Sequence, residues 1–278
     1  MYMYMYMYLI LLFFTSCMNN KEVETPFYVV EAFIYAGEPV QGIRVKELTP
    51  LDSGSEAQAS IVADAFISLG KGGKTYSLDF DLTSETYYYP GNDLVIEPGD
   101  LVELIVDANG RRSSGETLVP ESPVGVRSNM TELQVPQLSF SFDLRDQIVA
   151  LFESARLVVE WDNASEDLHF IAVQNRVEQL EPILPAEVPA EAEELLESFR
   201  FISEPTESTT FEVIGVALET YGTHVVKVYR VNQEYADLFR NDTQDSRDLN
   251  APPTNMTGAF GIFSAFSSDS VIFEVVRP

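Results

Sequence analysis

Apolar and polar residues alternate in short runs along most of this chain, and turn-forming residues separate the runs. In Tyr28-Val29-Val30-Glu31-Ala32-Phe33-Ile34-Tyr35, one face carries Val30, Ala32 and Ile34, and Gly37-Glu38-Pro39 breaks the run. A period of two over that length predicts a half-buried strand and its turn. Ala65-Phe66-Ile67-Ser68-Leu69 leads into Gly70-Lys71-Gly72-Gly73, and Thr75-Tyr76-Ser77-Leu78-Asp79-Phe80 then alternates again, as a glycine-rich hairpin would. Pro98-Gly99-Asp100 precedes Leu101 to Val106, and Asn109-Gly110 follows. Asn-Gly is favoured where a two-residue hairpin turn needs positive φ. Short strands at this spacing predict a β-sandwich over residues 26–119.

Residues 120–136 hold Pro120, Pro123 and Pro136 and few periodic apolar positions, which marks an inter-domain linker. A second β region is expected over 137–278. In Ala155-Arg156-Leu157-Val158-Val159-Glu160-Trp161, the side chains of Leu157, Val159 and Trp161 share a face, so the sole tryptophan reads as a core anchor rather than a ligand platform. His169 to Val173, Thr223 to Val231 and Val271 to Val276 supply further strands, the last of them inside the sheet. The tract from Leu180 to Arg200 breaks the pattern. Pro182, Pro185 and Pro189 give way to helix formers, Leu195 and Leu196 sit four and three residues before Phe199, and the acids come early with Arg200 late. That order matches a helix dipole and predicts a short helical insertion at about 185–200. It either contacts a partner, covers a pocket, or caps one end of the sandwich.

The expected fold class is therefore mainly β, with two sandwich domains and one short helical insertion. The first half, in its order of strand, Pro-Gly, strand and Asn-Gly, resembles prealbumin-type Ig-like modules; the second reads as fibronectin-like. Hydrophobic residues at 45% and aromatics at 12% suit a packed core and argue against disorder. Forty-four acidic residues against 17 basic ones give a net charge of −27. Such a field repels phosphate backbones, so nucleic acid is excluded as a partner. Solubility explains the charge more simply than a cationic ligand does.

Cys17 is the only cysteine, and it directly follows Met1 to Ser16, a stretch without a charged side chain. Residues 1–16 have the outline of an export signal, and their apolar part is shorter than the ~20 residues that a membrane-spanning helix needs. Phe14-Thr15-Ser16-Cys17 resembles the lipobox of bacterial lipoproteins. The resemblance implies cleavage before Cys17, a diacylglycerol on its sulfur and acylation of its new amino group. Buried acyl methylenes contribute about 0.8 kcal/mol each, so two or three chains anchor a protein durably. The expected membrane partner is thus reached through lipid at Cys17, with residues 17–25 as the lipidated tether. Lys21 followed by Glu22 and Glu24 resembles the surface-export signal of Bacteroidota lipoproteins.

Signals of catalysis are sparse. His169 and His224, the only histidines, lie in predicted strands without zinc-ligand spacing, and no GxSxG elbow is present. Tyr87-Tyr88-Tyr89 offers rings for stacking, but alternation assigns part of it to the core. Asp242, Asp245 and Asp248 are spaced three apart, unlike the alternate acids of a Ca²⁺ loop. Asn129, Asn163, Asn241 and Asn255 begin N-x-S/T sequons, which carry little meaning in a bacterial lipoprotein. Pro252-Pro253-Thr254-Asn255 with Gly258 and Gly261 predicts a tight, extended loop in which Phe260, Ile262, Phe263 and Phe266 plug a sandwich end; its glycines allow close backbone approach rather than cradle a phosphate. No catalytic, cofactor-binding or metal residue is assigned.

The tracts His224 to Phe239 and Leu249 to Phe266, including Ala251-Pro252-Pro253-Thr254-Asn255-Met256-Thr257-Gly258-Ala259-Phe260-Gly261, resemble a family of Bacteroidota outer-membrane lipoproteins with an uncharacterised domain, often encoded beside TonB-dependent receptors. The resemblance implies an outer-membrane location, a TonB-dependent receptor as partner and a role as an accessory binding subunit of an uptake system. It carries no catalytic residue. A surface hydrolase and a structural adhesion module are the alternative classes.

Overall fold

The computed structural model describes residues 28–47, 60–137, 144–183, 200–232, 234–236 and 254–278. The chain is mainly β. β1 (Tyr28–Tyr35) buries Tyr28, Val30, Ala32 and Ile34 in strict alternation, as a strand with one face on a core must. β2 (Arg44–Glu47) pairs with it antiparallel. β3 (Phe66–Lys71) and β4 (Lys74–Asp81) form a hairpin through Gly72-Gly73, and β5 (Thr86–Tyr88) extends it. β6 (Leu101–Ala108) and β7 (Arg111–Leu118) turn through Asn109 at φ 51° and Gly110 at φ 73°, the two positive values that a twisted hairpin prefers.

The second half holds β8 (Val124–Ser128), β9 (Glu132–Gln134), helix α1 (Leu144–Ser154), β10 (Arg156–Asp162), β11 (His169–Asn175), β12 (Arg200–Ile202), β13 (Thr210–Ile214) and β14 (Gly222–Val231). β15 (Met256–Thr257) and the 17-residue β16 (Phe260–Val276) follow. Among the described residues these strands make three sheets. A central sheet runs β12-β11-β14-β16-β1-β2, with β9 beside the far end of β16. The second sheet runs β15-β7-β6-β3-β4-β5 and the third β13-β10-β8.

Two hydrophobic cores lie on one face of the central sheet. In the first, Val30, Ala32, Ile34, Phe263 and Ala265 meet Ile67, Leu69, Val102, Leu104 and Val106 of the second sheet. In the other, Ile171, Val173, Val226, Val228, Phe273 and Val275 meet Leu157, Val159 and Trp161 of the third. Phe263, Ala265, Phe273 and Val275 are all odd-numbered positions of β16, so both cores rest on the same side of one strand. Residues 262–267 are buried without alternation, as a strand covered on both faces should be.

β16 pairs parallel with β1 from Val29↔Phe260 to Tyr35↔Phe266, then antiparallel with β14 from Val231↔Phe266 to Gly222↔Val275. The parallel stretch depends on Gly261. Its φ is +106°, and a Cβ there would lie 1.9 Å from the Val30 carbonyl oxygen. A polar chain ties the junction: Ser264 Oγ donates to Asn232 Oδ1 at 2.5 Å, and Asn232 Nδ2 donates to Thr117 Oγ1 at 2.7 Å.

Three features differ from the sequence-based expectation. Residues 120–136 are not merely a linker, because β8 pairs with β10 and β9 with β16; the prolines stand outside these strands and bound them rather than interrupt them. The first core does not close at residue 119, since Met256, Ala259, Phe263 and Ala265 belong to it. Residues 260–266, expected as part of an extended loop, are strand, and Phe263 and Phe266 fill sheet faces rather than plug an end. Helix α1 carries Leu144, Ile148, Leu151 and Phe152 at helical spacing, and Leu151 is buried beside Ala155 and Gly215. The helical insertion expected at about 185–200 lies outside the described residues except for Arg200, which opens β12.

Gly261→Ala is expected to cost about 2–4 kcal/mol, since both strain and a backbone clash oppose it. Gly37→Ala, at φ +74° with nothing within 4 Å of the added Cβ, is expected to cost only about 1–2 kcal/mol. Urea unfolding of both variants checks the difference; equal losses would show that the close approach to Val30 carries no special weight.

Candidate functional site

The central sheet's other face is covered by neither smaller sheet. Phe33 and Tyr35 of β1, Phe266 of β16, Tyr229 of β14 and Phe170 of β11 form an aromatic band across it. Phe170 and Tyr229 stack at 4.6 Å with their planes 10° apart, and Tyr35 stacks on Phe266 at 5.1 Å. Tyr235 stands edge-on against Phe33 and Phe266, with centroids 5.7 and 4.9 Å away. Phe33, Tyr35, Phe170, Tyr229 and Phe266 occupy positions opposite the core residues of the same strands, so period-two geometry collects these five, while Tyr235 reaches them from beyond the end of β14.

Beside this band lies a groove of about 700 Å³, within the ~300–1,000 Å³ range typical of small-molecule sites. Phe33, Tyr35, Phe170 and Tyr229 line it, Phe33 and Tyr35 being half-buried. Its charged lining is Arg44, Arg176, Lys227 and Glu38, with Gln41 and Gln174 as neutral polar groups. Lys227 Nζ lies 2.5 Å from Glu38 Oε1 and 5.7 Å from the Tyr229 ring centroid. Arg44 and Arg176 are exposed, and neither has an ion-pair partner among the described residues. Glu31, opposite Arg44 across the β1–β2 ladder, is held instead by Lys46 at 2.6 Å. Among the described residues the lining thus has three bases to one acid, in a chain where acids prevail.

A second recess of about 560 Å³ is lined by Glu121, Glu166, Asp167, Glu234 and Arg230. Arg230 pairs with Asp167 at 2.5 Å. Burial pushes the Asp167 carboxyl up, but hydrogen bonds from Ser165 and Arg230 outweigh it and hold the group below the usual range. Among the described residues, no group of three His, Cys, Asp or Glu is placed to hold a metal ion.

The two histidines are core residues at opposite ends of the β11–β14 ladder, His169 beside Arg230 and His224 beside Asn175. Six residues of strand separate the two ends by about 20 Å. His169 packs on Trp161, with ring centroids 5.6 Å apart, and His224 on Phe273 at 5.5 Å. Trp161 itself is 2% exposed. Tyr87 is buried, its hydroxyl donating to the Val62 carbonyl at 2.7 Å and accepting from the Ala65 N–H at 3.0 Å. Asn255, read as a sequon, pairs its amide with the Phe263 backbone in both directions, at 2.6 and 2.9 Å. Cys17, the tether and Asp242, Asp245 and Asp248 lie outside the described residues. The groove residues were not singled out in the sequence; the available signal was Phe33, Tyr35 and Tyr229 on outward faces of otherwise well-patterned strands.

The family model for a domain of unknown function, DUF4249, matches residues 17–271. This chain belongs to the DUF4249 family. None of the curated proteins compared matches it. Among solved structures, the DUF4249 chain is similar to domains A168–A170 of titin, with 11% identity and a TM-score of 0.21 over 88% of this chain and 62% of that one. It is also similar to a 1.5-MDa bacterial ice-binding adhesin, with 11% identity and a TM-score of 0.19 over 91% of this chain and 66% of that one. The DUF4249 chain therefore spans less than two thirds of either relative, and overlays this loose carry no argument about function.

Burial holds the pKa of His169 and His224 below the ordinary value of 6.5. In the unfolded chain each takes up a proton near that value, whereas the native protein does so only at lower pH. The unfolded state therefore binds more protons as pH falls below 6.5, and stability declines. The urea midpoint is expected to drop between about pH 7 and pH 5.5, above the main titration of carboxylates. His224→Leu should flatten that drop, and an unchanged pH profile in this variant would contradict burial of His224 as a cause.

Proposed function

We propose that this DUF4249 chain is a non-catalytic binding subunit, lipid-anchored to the outer membrane through Cys17 and working beside a TonB-dependent receptor. The observation that carries the binding role is the groove on the open sheet face, where aromatic rings and polar groups from both halves of the fold meet around about 700 Å³. Concave, ring-lined sites with a few polar groups are the usual form of a small-ligand site. The anchor rests on Phe14-Thr15-Ser16-Cys17, and the DUF4249 match begins at Cys17 itself. Among the described residues no helix is long and apolar enough to cross a membrane. The receptor partnership rests on the resemblance of residues 224–266 to lipoproteins encoded beside such receptors.

Two readouts test this reading. Intact mass of the wild-type protein should carry diacylglycerol and acyl groups and appear in the outer-membrane fraction, while Cys17→Ala should lack both. Purified in mild detergent, the native lipoprotein should bring a TonB-dependent receptor with it. Unmodified, soluble wild-type protein would overturn the anchor, and purification without any receptor would overturn the partnership.

A further inference from the structure

The groove's composition points to a ligand of one chemical class. We propose that it binds an organic anion presenting an apolar ring face, with the ring against Phe33 and Tyr35 and the negative charge drawn by Arg44, the arginine nearest those rings on the β1–β2 ladder, while Arg176 keeps the far end of the lining positive. This inference rests on the reading of the chain as a binding subunit and specifies what that subunit takes.

The charge argument begins with the whole chain, where acids outnumber bases by 44 to 17. Among the described residues along the groove the ratio reverses, with Arg44, Arg176 and Lys227 set against Glu38. Glu38 is committed to Lys227 at 2.5 Å. The uncompensated charge therefore sits on the two arginines, one on β2 and the other directly after β11, at opposite sides of the ring band. A guanidinium is a planar fork that matches a carboxylate in two parallel hydrogen bonds. An aromatic groove by itself would equally suit a cation held over the rings. Here the flanking arginines repel a cation, which decides the sign of the ligand's charge.

The rings supply the other half of the recognition. Phe170 and Tyr229 are stacked on each other and buried, so they form the floor. Phe33 and Tyr35 are half-buried and offer open surface. Gln41 and Gln174 add neutral donors and acceptors along the lining. An aryl carboxylate and an acidic sugar share this chemistry, a flat apolar face joined to a carboxylate.

Calorimetry on the detergent-solubilised full chain, with matched micelles as blank, separates the outcomes. One set of probes keeps the ring and changes the charge: 2-naphthoate, 2-naphthylmethanol and 2-naphthylmethylammonium. The other compares trigalacturonate with maltotriose. At least one anion is expected to bind roughly tenfold or more tighter than its neutral counterpart, as a net gain near 1.4 kcal/mol implies. The preference should weaken with added salt. Which anion binds identifies the source. The double substitution Arg44→Gln, Arg176→Gln should reduce anion affinity to that of the neutral probe while the thermal midpoint stays near that of the wild type, because both side chains are exposed. Binding by neither anion, preference for the ammonium, or undiminished anion binding in the double variant would overturn the proposal. Receptor co-purification is measured on the same variant. Receptor retained without any anion binding overturns the ligand class alone, whereas anion binding without receptor supports the ligand class and overturns only the partnership.

Discussion

Between Val30 and Gly261 the two backbones approach so closely that a Cβ has no room. The parallel ladder built around that contact joins β1, near the start of the described chain, to a strand near its end. The same strand then continues as the antiparallel partner of β14 in the second half. One unbroken run of backbone hydrogen bonds thereby holds two sandwiches on a common sheet. Without β16, β1 would keep only the short β2 as neighbour and would expose an unpaired edge, a liability that folded proteins avoid.

The ring cluster on the face of the central sheet away from the two smaller sheets follows from this arrangement. Phe33 and Tyr35 come from the first half, Phe170 and Tyr229 from the second, and Phe266 of β16 stands between them. Two further links cross the same junction: the ion pair of Lys227 with Glu38, and the Ser264–Asn232–Thr117 chain. Buried polar chains of this kind favour one register over its neighbours, because a slipped partner would leave hydroxyl and amide groups unsatisfied. The groove is thus a product of the shared strand, and its geometry is set by the same contacts that set the fold. The partners in the β1–β16 ladder are more than 200 positions apart in sequence, so the groove is complete only when the most distant pairing has formed.

Much of this was legible in the sequence, for a local reason. Strands, hairpins and inward faces are written in period two and in turn residues, which is why Val30, Ala32 and Ile34, the Asn109-Gly110 turn, and the face of Leu157, Val159 and Trp161 were read correctly. Pairing between distant strands leaves no such mark. Nothing local to β1 announces a parallel partner at residues 260–266, and a glycine there reads equally as a turn until Val30 is seen beside it. The prolines at 120, 123 and 136 misled because they flank β8 and β9 rather than occupy them. The groove was hidden for a related reason. Phe33 or Tyr229 on an outward face is unremarkable singly, and only the sheet order sets four such rings and three cations along one groove.

Native-state hydrogen exchange of the full chain, resolved by peptide, tests the shared-strand account most directly. The account predicts that the amides of residues 30–35, 262–267 and 225–231 open with one common free energy, as a single cooperative unit does. If residues 225–231 stayed protected under conditions where residues 30–35 and 262–267 had already exchanged, the two sandwiches would be independent units. The strand between them could not then be what holds the groove together.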